Sequence, residues 1–377
     1  MPFRLPTRVE IAPGSLSRLE PLARDFAAAR ALLVHDPGLL ATPWPARARA
    51  ALQSAGCAVE VADDIEANPR HTTVNAWGER ARTSGVGLVV GLGGGSALDA
   101  AKAIAMLAAN PGGCERYEGR NLFAAKPVPF VAVPTTCGTG SEVTWVSVIT
   151  RLDQRRKISV KGDGMFPDHA LIDANLLATL PPHLVAWTSV DALTHAVEAA
   201  TCSEANPVSD ALAEKACTLI FRYLRRAAAD PKGDAEAREA ILRAATLAGM
   251  AFGNADVAGV HCLSESLGGL FDIPHGLANA ILLAPVMRSH REAARAKLEA
   301  LHAAVFPNDA PKDPAEAFLQ RIEELVSDLK IPSFGSLKIP REAFAEIAKQ
   351  SEGNNSNPSN PRPMKAADYL ELLERLS

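Results

Sequence analysis

The chain has 377 residues, of which 47% are hydrophobic and 22% are charged, and its formal net charge is -4. This length exceeds what one hydrophobic core usually spans, so we expect two domains. The slightly negative charge predicts no nucleic-acid partner, and no apolar run is long enough to predict a membrane partner. Six scattered cysteines without C-x-x-C spacing favour reduced thiols and a cytoplasmic location.

Short β-branched runs alternate with helical stretches in the first half of the chain. This alternation is typical of an α/β domain built on a mainly parallel sheet. The predicted strands lie at 31–34, 59–61, 88–90 and 130–133, and the predicted helices lie at 44–55 and 74–84.

In the second half, β-branched runs become scarce from about Leu184 onward. Long segments with helical periodicity replace them, as at 208–228 and 235–252. A proline pair, Pro181-Pro182, stops any continuing element just before this change. We therefore predict an α/β domain over 1–182 and an all-α domain over 183–377.

A glycine-rich turn, Gly93-Gly94-Gly95-Ser96, follows the third predicted strand and leads directly into an alanine-rich helix. Such a turn exposes backbone N–H groups at a helix N-terminus, where an anion such as pyrophosphate can bind. Neither the G-x-G-x-x-G fingerprint nor the Walker pattern is present. A tight strand-to-helix turn without a ligand is therefore the alternative interpretation.

Two other segments follow predicted strands and could also contact a nucleotide. Asp36 ends the strand ALLVHD, and a carboxylate on the ribose hydroxyls would repel a 2′-phosphate and favour NAD over NADP. Its alternative interpretation is a solvated acid at a strand end. The segment PTTCGTGSE could place hydroxyl groups at the carboxyl end of a strand, although a simple threonine-rich turn would look the same. Its hydroxyl residues are Thr135, Thr136, Thr139 and Ser141.

A carboxylate and an imidazole, Asp191 and His195, are spaced four residues apart in a predicted helix. This spacing places both side chains on one face, close enough to bind one ion. With two further imidazoles they would form a nitrogen and oxygen donor set that suits Fe(II) or Zn(II) better than Ca or Mg. The alternative is a pair of ordinary polar residues on a helix.

The two further imidazoles, His261 and His275, are fourteen positions apart, which on a straight helix would separate them by roughly 21 Å. One helix cannot bring both to one ion. Gly268-Gly269 can end a first helix, and Pro274 suits the first turn of a second one. The chain could then double back and direct both rings at one point.

Five segments resemble, in order and over nearly the whole length, the signatures of the iron-containing (group III) alcohol dehydrogenase family. They are GGGSALDAAK, PTTCGTGSEVT, DALTHAVEA, GMAFGNADVAGVH and IPHGLANAILL. The resemblance implies the fold shared with dehydroquinate synthase, with an N-terminal NAD-binding α/β domain and an all-α domain that binds metal and substrate. It also implies Fe2+, or Zn2+ in its place, in the cleft between the domains, and a homodimer.

The resemblance also assigns roles to individual residues. It makes Asp191, His195, His261 and His275 the metal ligands. Gly93, Gly94, Gly95, Ser96 and Asp99 match the pyrophosphate loop, and Thr135, Thr136, Thr139 and Ser141 match the lining of the cofactor site. Lys157 resembles the lysine near the nicotinamide ribose, with a solvated charge as the alternative. Glu265 stands where many members have a second histidine, so it could transfer protons, bind substrate or contact the metal.

The predicted function is reversible hydride transfer between NAD(H) and an alcohol/aldehyde or hydroxy acid/ketone pair, with His261, His275 and Glu265 as catalytic residues. Glycerol dehydrogenases, maleylacetate reductases and hydroxyacid-oxoacid transhydrogenases have a similar scaffold and remain alternatives. A 3-dehydroquinate synthase-like lyase would need basic residues, and few flank the metal segments. A binding protein without turnover is a further alternative. The late segment NNSNPSNPRPM is interpreted as a polar loop, either near the cleft or as a surface linker.

Overall fold

A computed structural model describes residues 3–377 of the chain. Two compact units make up this structure. The first comprises Leu5–Leu180, and the second comprises Pro181–Ser377 together with Phe3 and Arg4.

The first unit contains nine strands in two sheets and four α-helices. The strands are β1 (Arg8–Ile11), β2 (Arg30–His35), β3 (Ala58–Ala62), β4 (Leu88–Gly93), β5 (Gly119–Arg120), β6 (Phe130–Pro134), β7 (Val146–Arg151), β8 (Arg156–Lys161) and β9 (His169–Ile172). The helices are α1 (Leu19–Asp25), α2 (Trp44–Ser54), α3 (His71–Ser84) and α4 (Gly95–Ala109).

The main sheet has six strands in the order β1-β9-β6-β4-β2-β3, and every neighbouring pair is parallel. Successive residues of a strand point to opposite faces, so a parallel sheet covered on both faces needs apolar residues at every position. Strand β2 meets this requirement. Leu32 and Val34 belong to the core that includes α3 and α4, whereas Ala31 and Leu33 belong to the core that includes α1 and α2.

The order of the strands creates a switch point between β2 and β4. The chain passes from β2 to β3 on one side, and then crosses to β4 on the other side before it continues to β6. In open α/β sheets, ligands bind outside the carboxyl ends of the strands at such a point. Asp36 directly follows β2 and Gly94 directly follows β4, so both lie at this place.

The smaller sheet has the order β5-β8-β7, with β7 and β8 antiparallel. Its strands were not predicted, and neither were β1 and β9. The four predicted strands correspond to β2, β3, β4 and β6, and the two predicted helices correspond to α2 and α3.

The regular secondary structure described in the second unit is all helical. Its helices are α5 (Pro182–Thr201), α6 (Pro207–Ala229), α7 (Ala235–Phe252), α8 (Gly259–Phe271), α9 (His275–His290), α10 (Arg295–Val305), α11 (Pro314–Asp328), α12 (Phe344–Glu352) and α13 (Ala366–Leu376). Helix α5 packs against α6, α7 and α9, and α8 packs against α9 and α12. These contacts bring the amino-terminal parts of α8 and α9 to the middle of α5.

The reversal between α8 and α9 differs in detail from the prediction. Helix α8 continues through Gly268-Gly269 and ends at Phe271, where Asp272 adopts a left-handed conformation with φ of 58°. Glycine permits a helix end without requiring one, and aspartate tolerates the left-handed region better than most residues. Pro274 then directly precedes α9, so the predicted reversal of the chain occurs slightly later than expected.

Across residues 3–377, no helix combines the length and the apolar character that crossing a lipid bilayer requires.

Candidate active site

Asp191, His195, His261 and His275 meet at one place in the helical unit. One potential ligand atom from each residue lies within 4.8 Å of all the others. The Nε2 atoms of His195 and His261 are 3.0 Å apart. The Asp191 Oδ1 atom is 3.9 Å from Nε2 of both His261 and His275. The spacing on α5 and the reversal between α8 and α9 therefore produce the predicted convergence.

Three of the four side chains are almost fully buried, and the fourth is partly accessible. The side chains of Asp191, His195 and His261 are 1%, 5% and 4% exposed, whereas that of His275 is 24% exposed. The ring of His195 also stacks on Phe252, with a centroid separation of 4.3 Å. His275 is therefore the side chain of the cluster that a small molecule can reach most readily.

Glu198, one turn after His195 on α5, supports the cluster from behind. Its Oε2 atom is 2.5 Å from Nδ1 of His261, and its Oε1 atom accepts a hydrogen bond of 2.7 Å from the backbone N–H of Val260. Burial alone would raise the pKa of this carboxyl group, but His261 and the backbone N–H groups hold it below its usual range. The carboxylate accepts the Nδ1 proton of His261, so the Nε2 lone pair faces the cluster.

Asn279, one turn after His275 on α9, places its amide in the same cluster. Its Nδ2 atom donates to Asp191 Oδ1 at 2.6 Å and lies 3.2 Å from Nε2 of both His261 and His275. The side chain is fully buried, and its Oδ1 atom has no hydrogen-bond partner. The amide therefore helps to hold the carboxylate of Asp191 in place.

The donor set fits a divalent transition-metal ion. Imidazole lone pairs 3.0 Å apart repel each other unless a cation or a proton lies between them. One carboxylate and three imidazoles form a borderline set that suits Fe(II) or Zn(II). A hydrogen bond from the second ring nitrogen of a ligand to a carboxylate, as between His261 and Glu198, is the usual support around such an ion.

Glu265 lies one turn after His261 on the same face of α8, and it is partly exposed. Its Oε2 atom accepts a hydrogen bond of 2.6 Å from Nδ2 of Asn354. The backbone N–H of Ser356 donates in turn to Oδ1 of Asn354. The carboxylate of Glu265 is thus fixed by the segment after α12.

That segment is the late polar stretch at 354–364, and its interpretation as a surface linker is wrong. Ser356, Ser359 and Asn360 are buried. The hydroxyl groups of Ser356 and Ser359 donate to the two carboxylate oxygens of Asp256. These hydrogen bonds satisfy the polar groups, so a stretch of polar composition can pack inside the helical unit.

In the α/β unit, the three predicted nucleotide segments come together at the carboxyl ends of β2, β4 and β6. A Cβ atom on Gly94 would lie 3.0 Å from Cγ2 of Thr136, and one on Gly95 would lie 2.4 Å from Cγ2 of Thr139. A Cβ atom on Gly93 would lie 3.0 Å from a carboxylate oxygen of Asp36. A Cβ atom at any of these three positions would lie too close to its neighbour, so glycine permits the close packing of the turn at the start of α4 against the other two segments.

Other predicted cofactor residues lie in the same region. The backbone N–H of Thr135 donates to the carbonyl of Gly93 at 2.9 Å, and the hydroxyl of Ser96 accepts a hydrogen bond from the backbone N–H of Asn68. Burial raises the pKa of Asp36, although backbone hydrogen bonds partly offset this effect.

Asp99 and Ser141 bind to each other. The hydroxyl of Ser141 donates to Asp99 Oδ1 at 2.6 Å, and the backbone N–H of Val148 donates to Asp99 Oδ2 at 2.9 Å. The buried Lys102 donates from the same helix to the hydroxyl and carbonyl of Ser141 and to the carbonyl of Val146. Helix α4 therefore holds the segment that follows β6.

Lys157 lies on β8, opposite Thr150 of β7. Its positive charge contributes to lowering the pKa of Asp99, although burial has the larger effect and raises that pKa overall. The predicted cofactor residues on β8, on α4 and after β6 thus belong to one neighbourhood of the α/β unit.

Two family models match the chain almost from end to end. The model described as iron-containing alcohol dehydrogenase matches residues 6–174, and the model of the C-terminal part of this family matches residues 185–377. The chain belongs to the iron-containing alcohol dehydrogenase family. Membership confirms the predicted family and the predicted activity of an alcohol dehydrogenase.

Several characterised members of the family are similar to the chain over its whole length. Long-chain-alcohol dehydrogenase 1 of Geobacillus thermodenitrificans is 37% identical and covers 96% of this chain and 93% of its own. A 1-propanol dehydrogenase of Citrobacter freundii is 35% identical, with 99% of each chain covered. The crystal structure of a 1,3-propanediol oxidoreductase is 33% identical with a TM-score of 0.94, and it covers 100% of this chain and 99% of its own. This similarity confirms the predicted fold class.

A solved structure with a bound nucleotide is also similar. It is a sulfoacetaldehyde reductase of Bifidobacterium kashiwanohense in complex with NAD+, with 28% identity, a TM-score of 0.87, and coverage of 99% of this chain and 98% of its own.

The sequence interpretation of this family member missed Glu198, Asn279 and Lys102. Helical spacing could have revealed Glu198 and Asn279. Glu198 follows His195 by three residues and Asn279 follows His275 by four, so each shares a helix face with a predicted ligand in a nearly apolar segment. Lys102 carries a different signal, since it is the one basic residue of the alanine-rich helix α4, and a buried charge needs a partner.

Proposed function

We propose that the chain catalyses the reversible oxidation of a primary alcohol to an aldehyde with NAD as the hydride acceptor. In this proposal, Asp191, His195, His261 and His275 hold one Fe2+, which Zn2+ can replace. The main support for the proposal is that one ligand atom from each of these residues lies within 4.8 Å of the others. The chain also belongs to the iron-containing alcohol dehydrogenase family.

When bound, the ion supplies Lewis acidity that stabilises negative charge on the substrate oxygen. The side chains of the cluster contribute by fixing its geometry. Glu198 keeps the proton of His261 on Nδ1, and Asn279 holds the carboxylate of Asp191. The exposure of His275 provides the side from which an alcohol can approach, while the buried side chains exclude water from the rest of the cluster.

The carboxylate of Glu265 is a partly exposed group near the cluster that can accept a proton from an alcohol. It lies on the same helix face as His261, and Asn354 restrains it. A carboxylate so placed can accept the hydroxyl proton directly or through one water molecule. Glu265 therefore acts as a proton acceptor or as a substrate contact in this proposal.

NAD binds in this proposal at the carboxyl ends of β2 and β4. The turn from Gly93 to Ser96 holds the pyrophosphate, and the carboxylate of Asp36 binds the ribose hydroxyls. The loop residues Thr135, Thr136 and Thr139 line the site, and Lys157 contacts the nicotinamide ribose. Asp99 and Ser141 act mainly by holding this loop, because they hydrogen-bond to each other.

The relatives named above support primary alcohols of different chain lengths as substrates, since they are named for long-chain alcohols, 1-propanol and 1,3-propanediol. They do not favour the maleylacetate reductase, transhydrogenase and 3-dehydroquinate synthase alternatives. A panel of primary alcohols from ethanol to a long-chain alcohol therefore suits a first survey.

We also propose that the chain forms a homodimer in the cytoplasm. Strand β1 lies at an edge of the main sheet, and Ile11 at its end is 38% exposed, which offers an edge for a second copy. Within residues 3–377 the six cysteines are buried and form no disulfide, in keeping with a reducing compartment. Light scattering should give the mass of two 39.8 kDa chains, and a single-chain mass would contradict the dimer.

The function is tested by the absorbance of NADH during incubation with the alcohol panel. We expect NADH to form with primary alcohols, to disappear after chelation under anaerobic conditions, and to return when Fe2+ is added. A chelated protein that retains full activity would contradict the role of the ion. A protein that forms no NADH with any alcohol, and consumes none with any aldehyde, would contradict the function itself.

A further inference from the structure

The segments that build the metal cluster are acidic and contain no basic residue. Neither lysine nor arginine occurs at 162–214, which includes α5, or at 244–287, which includes α8 and most of α9. The same segments contribute the carboxylates of Asp191, Glu198 and Glu265 to the cluster and its surroundings. Three carboxylates outweigh the charge of one divalent ion, so these groups together remain negative after the ion binds.

Only one of these three carboxylates lies on the accessible side. Asp191 and Glu198 are buried, with 1% exposure each. Glu265 is partly exposed, as is His275, and it lies one turn from His261 on the same helix face. A substrate that approaches past His275 therefore comes within reach of the charge of Glu265.

The charge of Glu265 is also held in a fixed position. Asn354 donates to Oε2, and the backbone of Ser356 holds the amide of Asn354 through its Oδ1 atom. The hydroxyl of Ser356 donates to the carboxylate of Asp256. A fixed charge discriminates between substrates more strongly than a mobile one, because it cannot move away from an unfavourable partner.

We propose that Glu265 determines specificity by charge, so that the enzyme accepts neutral and cationic alcohols and rejects alcohols with a carboxylate or sulfonate close to the hydroxyl group. This inference rests on the proposed function, because it concerns the substrate of that same site. It names amino alcohols and diols as the preferred class and disfavours hydroxy acids.

The size of the effect follows from the charges. Two unit charges about 6 Å apart, at an effective dielectric constant of about 20, change a binding constant by about 100-fold. Partial exposure and salt reduce this value. We therefore expect the charge of Glu265 to strengthen the binding of a cationic alcohol by about 10-fold to 100-fold, and to weaken the binding of an anionic alcohol by a similar factor.

Three alcohols of the same length test the proposal: 3-amino-1-propanol, 1,3-propanediol and 3-hydroxypropionate. Their dissociation constants for the metal-loaded protein are measured by calorimetry without NAD, and kcat/KM is measured with NAD. The variant is Glu265→Gln, which keeps an acceptor for Asn354. The matched control is Glu204→Gln, which makes the same carboxylate-to-amide change at an exposed residue shortly after α5.

We expect the wild-type protein to bind the amine and the diol at least about 10-fold more tightly than the acid. In Glu265→Gln, the amine should bind about 10-fold to 100-fold more weakly and the acid more tightly by a similar factor, so the ratio of amine to acid should fall by about 100-fold or more, with little change for the diol. Glu204→Gln should keep the wild-type ratio.

The proposal is overturned if the wild-type protein prefers 3-hydroxypropionate, or if the binding ratio is the same in Glu265→Gln. The wild-type order is decisive even if the variant does not fold. Failure of the proposed function has a different signature, since no alcohol would then produce NADH while the calorimetric ratios would still report on Glu265.

Discussion

Replacing Glu198 with glutamine tests how the cluster is held together. The carboxylate accepts two hydrogen bonds, one from Nδ1 of His261 and one from the backbone N–H of Val260. Glutamine has the same shape but only one acceptor atom. Either its NH2 group meets the N–H of Val260, or it faces Nδ1 of His261 and forces the proton onto Nε2, the atom that faces the ion.

Both arrangements weaken metal binding. A buried donor without a partner costs about 1–3 kcal/mol, and the loss of such a partner behind a metal ligand typically lowers affinity by about 10-fold to 100-fold. We therefore expect Glu198→Gln to bind Zn2+ about 10-fold to 100-fold more weakly than the wild-type protein.

The assay is a competition titration against a chromophoric chelator, with the affinity referred to the folded fraction of the protein. The absorption spectrum of the cobalt-substituted protein provides a second readout, because it depends on the orientation of the ligands. Glu204→Gln serves as a control, since Glu204 is exposed shortly after the same helix. Wild-type affinity together with an unchanged cobalt spectrum in Glu198→Gln would refute the reasoning.

Three further predictions concern the α/β unit. Asp36→Gly should raise kcat/KM with NADP relative to NAD, because it removes the charge that repels a 2′-phosphate, and a wild-type preference for NADP would contradict this role. Gly95→Ala should weaken NAD binding by about 10-fold or more in a fluorescence titration, because the new Cβ atom would lie 2.4 Å from Cγ2 of Thr139. Gly87→Ala is the control, because its Cβ atom would lie 3.5 Å from the nearest atom, an ordinary contact distance. Burial lowers the pKa of Lys102 to about 8, below its value in the unfolded chain, so the unfolded state binds more protons from about pH 8 to pH 10.5. As pH rises through this window, the wild-type protein should therefore gain stability relative to Lys102→Met by up to about 1.4 kcal/mol per pH unit. Denaturant unfolding of both proteins measures this difference in the free energy of unfolding. A difference that stays constant with pH would show that Lys102 does not titrate in the window.

Local sequence patterns predicted the strands β2, β3, β4 and β6 of the main sheet but not the edge strand β1 or its partner β9. Strands β2, β4 and β6 are covered on both faces, so their apolar runs are visible without a structure. Strand β1 is short and half exposed, and it pairs with β9 across most of the α/β unit, from Arg8 to His169. No local signal specifies such a distant pairing, because the partner strand alone supplies its hydrogen bonds.

Helical spacing and the family resemblance identified the four candidate ligands, but not the groups that surround them. Glu198 and Asn279 were missed because helical spacing shows that each shares a face with a ligand, but not which group on another helix it binds. The interpretation of the polar segment at 354–364 as a surface linker was wrong for a related reason. Its composition suggested solvent exposure, whereas hydrogen bonds to Asp256 and Glu265 allow it to be buried.

The central claim is that four side chains from α5, α8 and α9 bind one cation. Anomalous diffraction at the iron edge, from crystals grown anaerobically with Fe2+, tests it most directly. We predict one peak per chain at bonding distance from Asp191, His195, His261 and His275. A peak at any other position, or iron-loaded crystals without a peak between these residues, would contradict the claim.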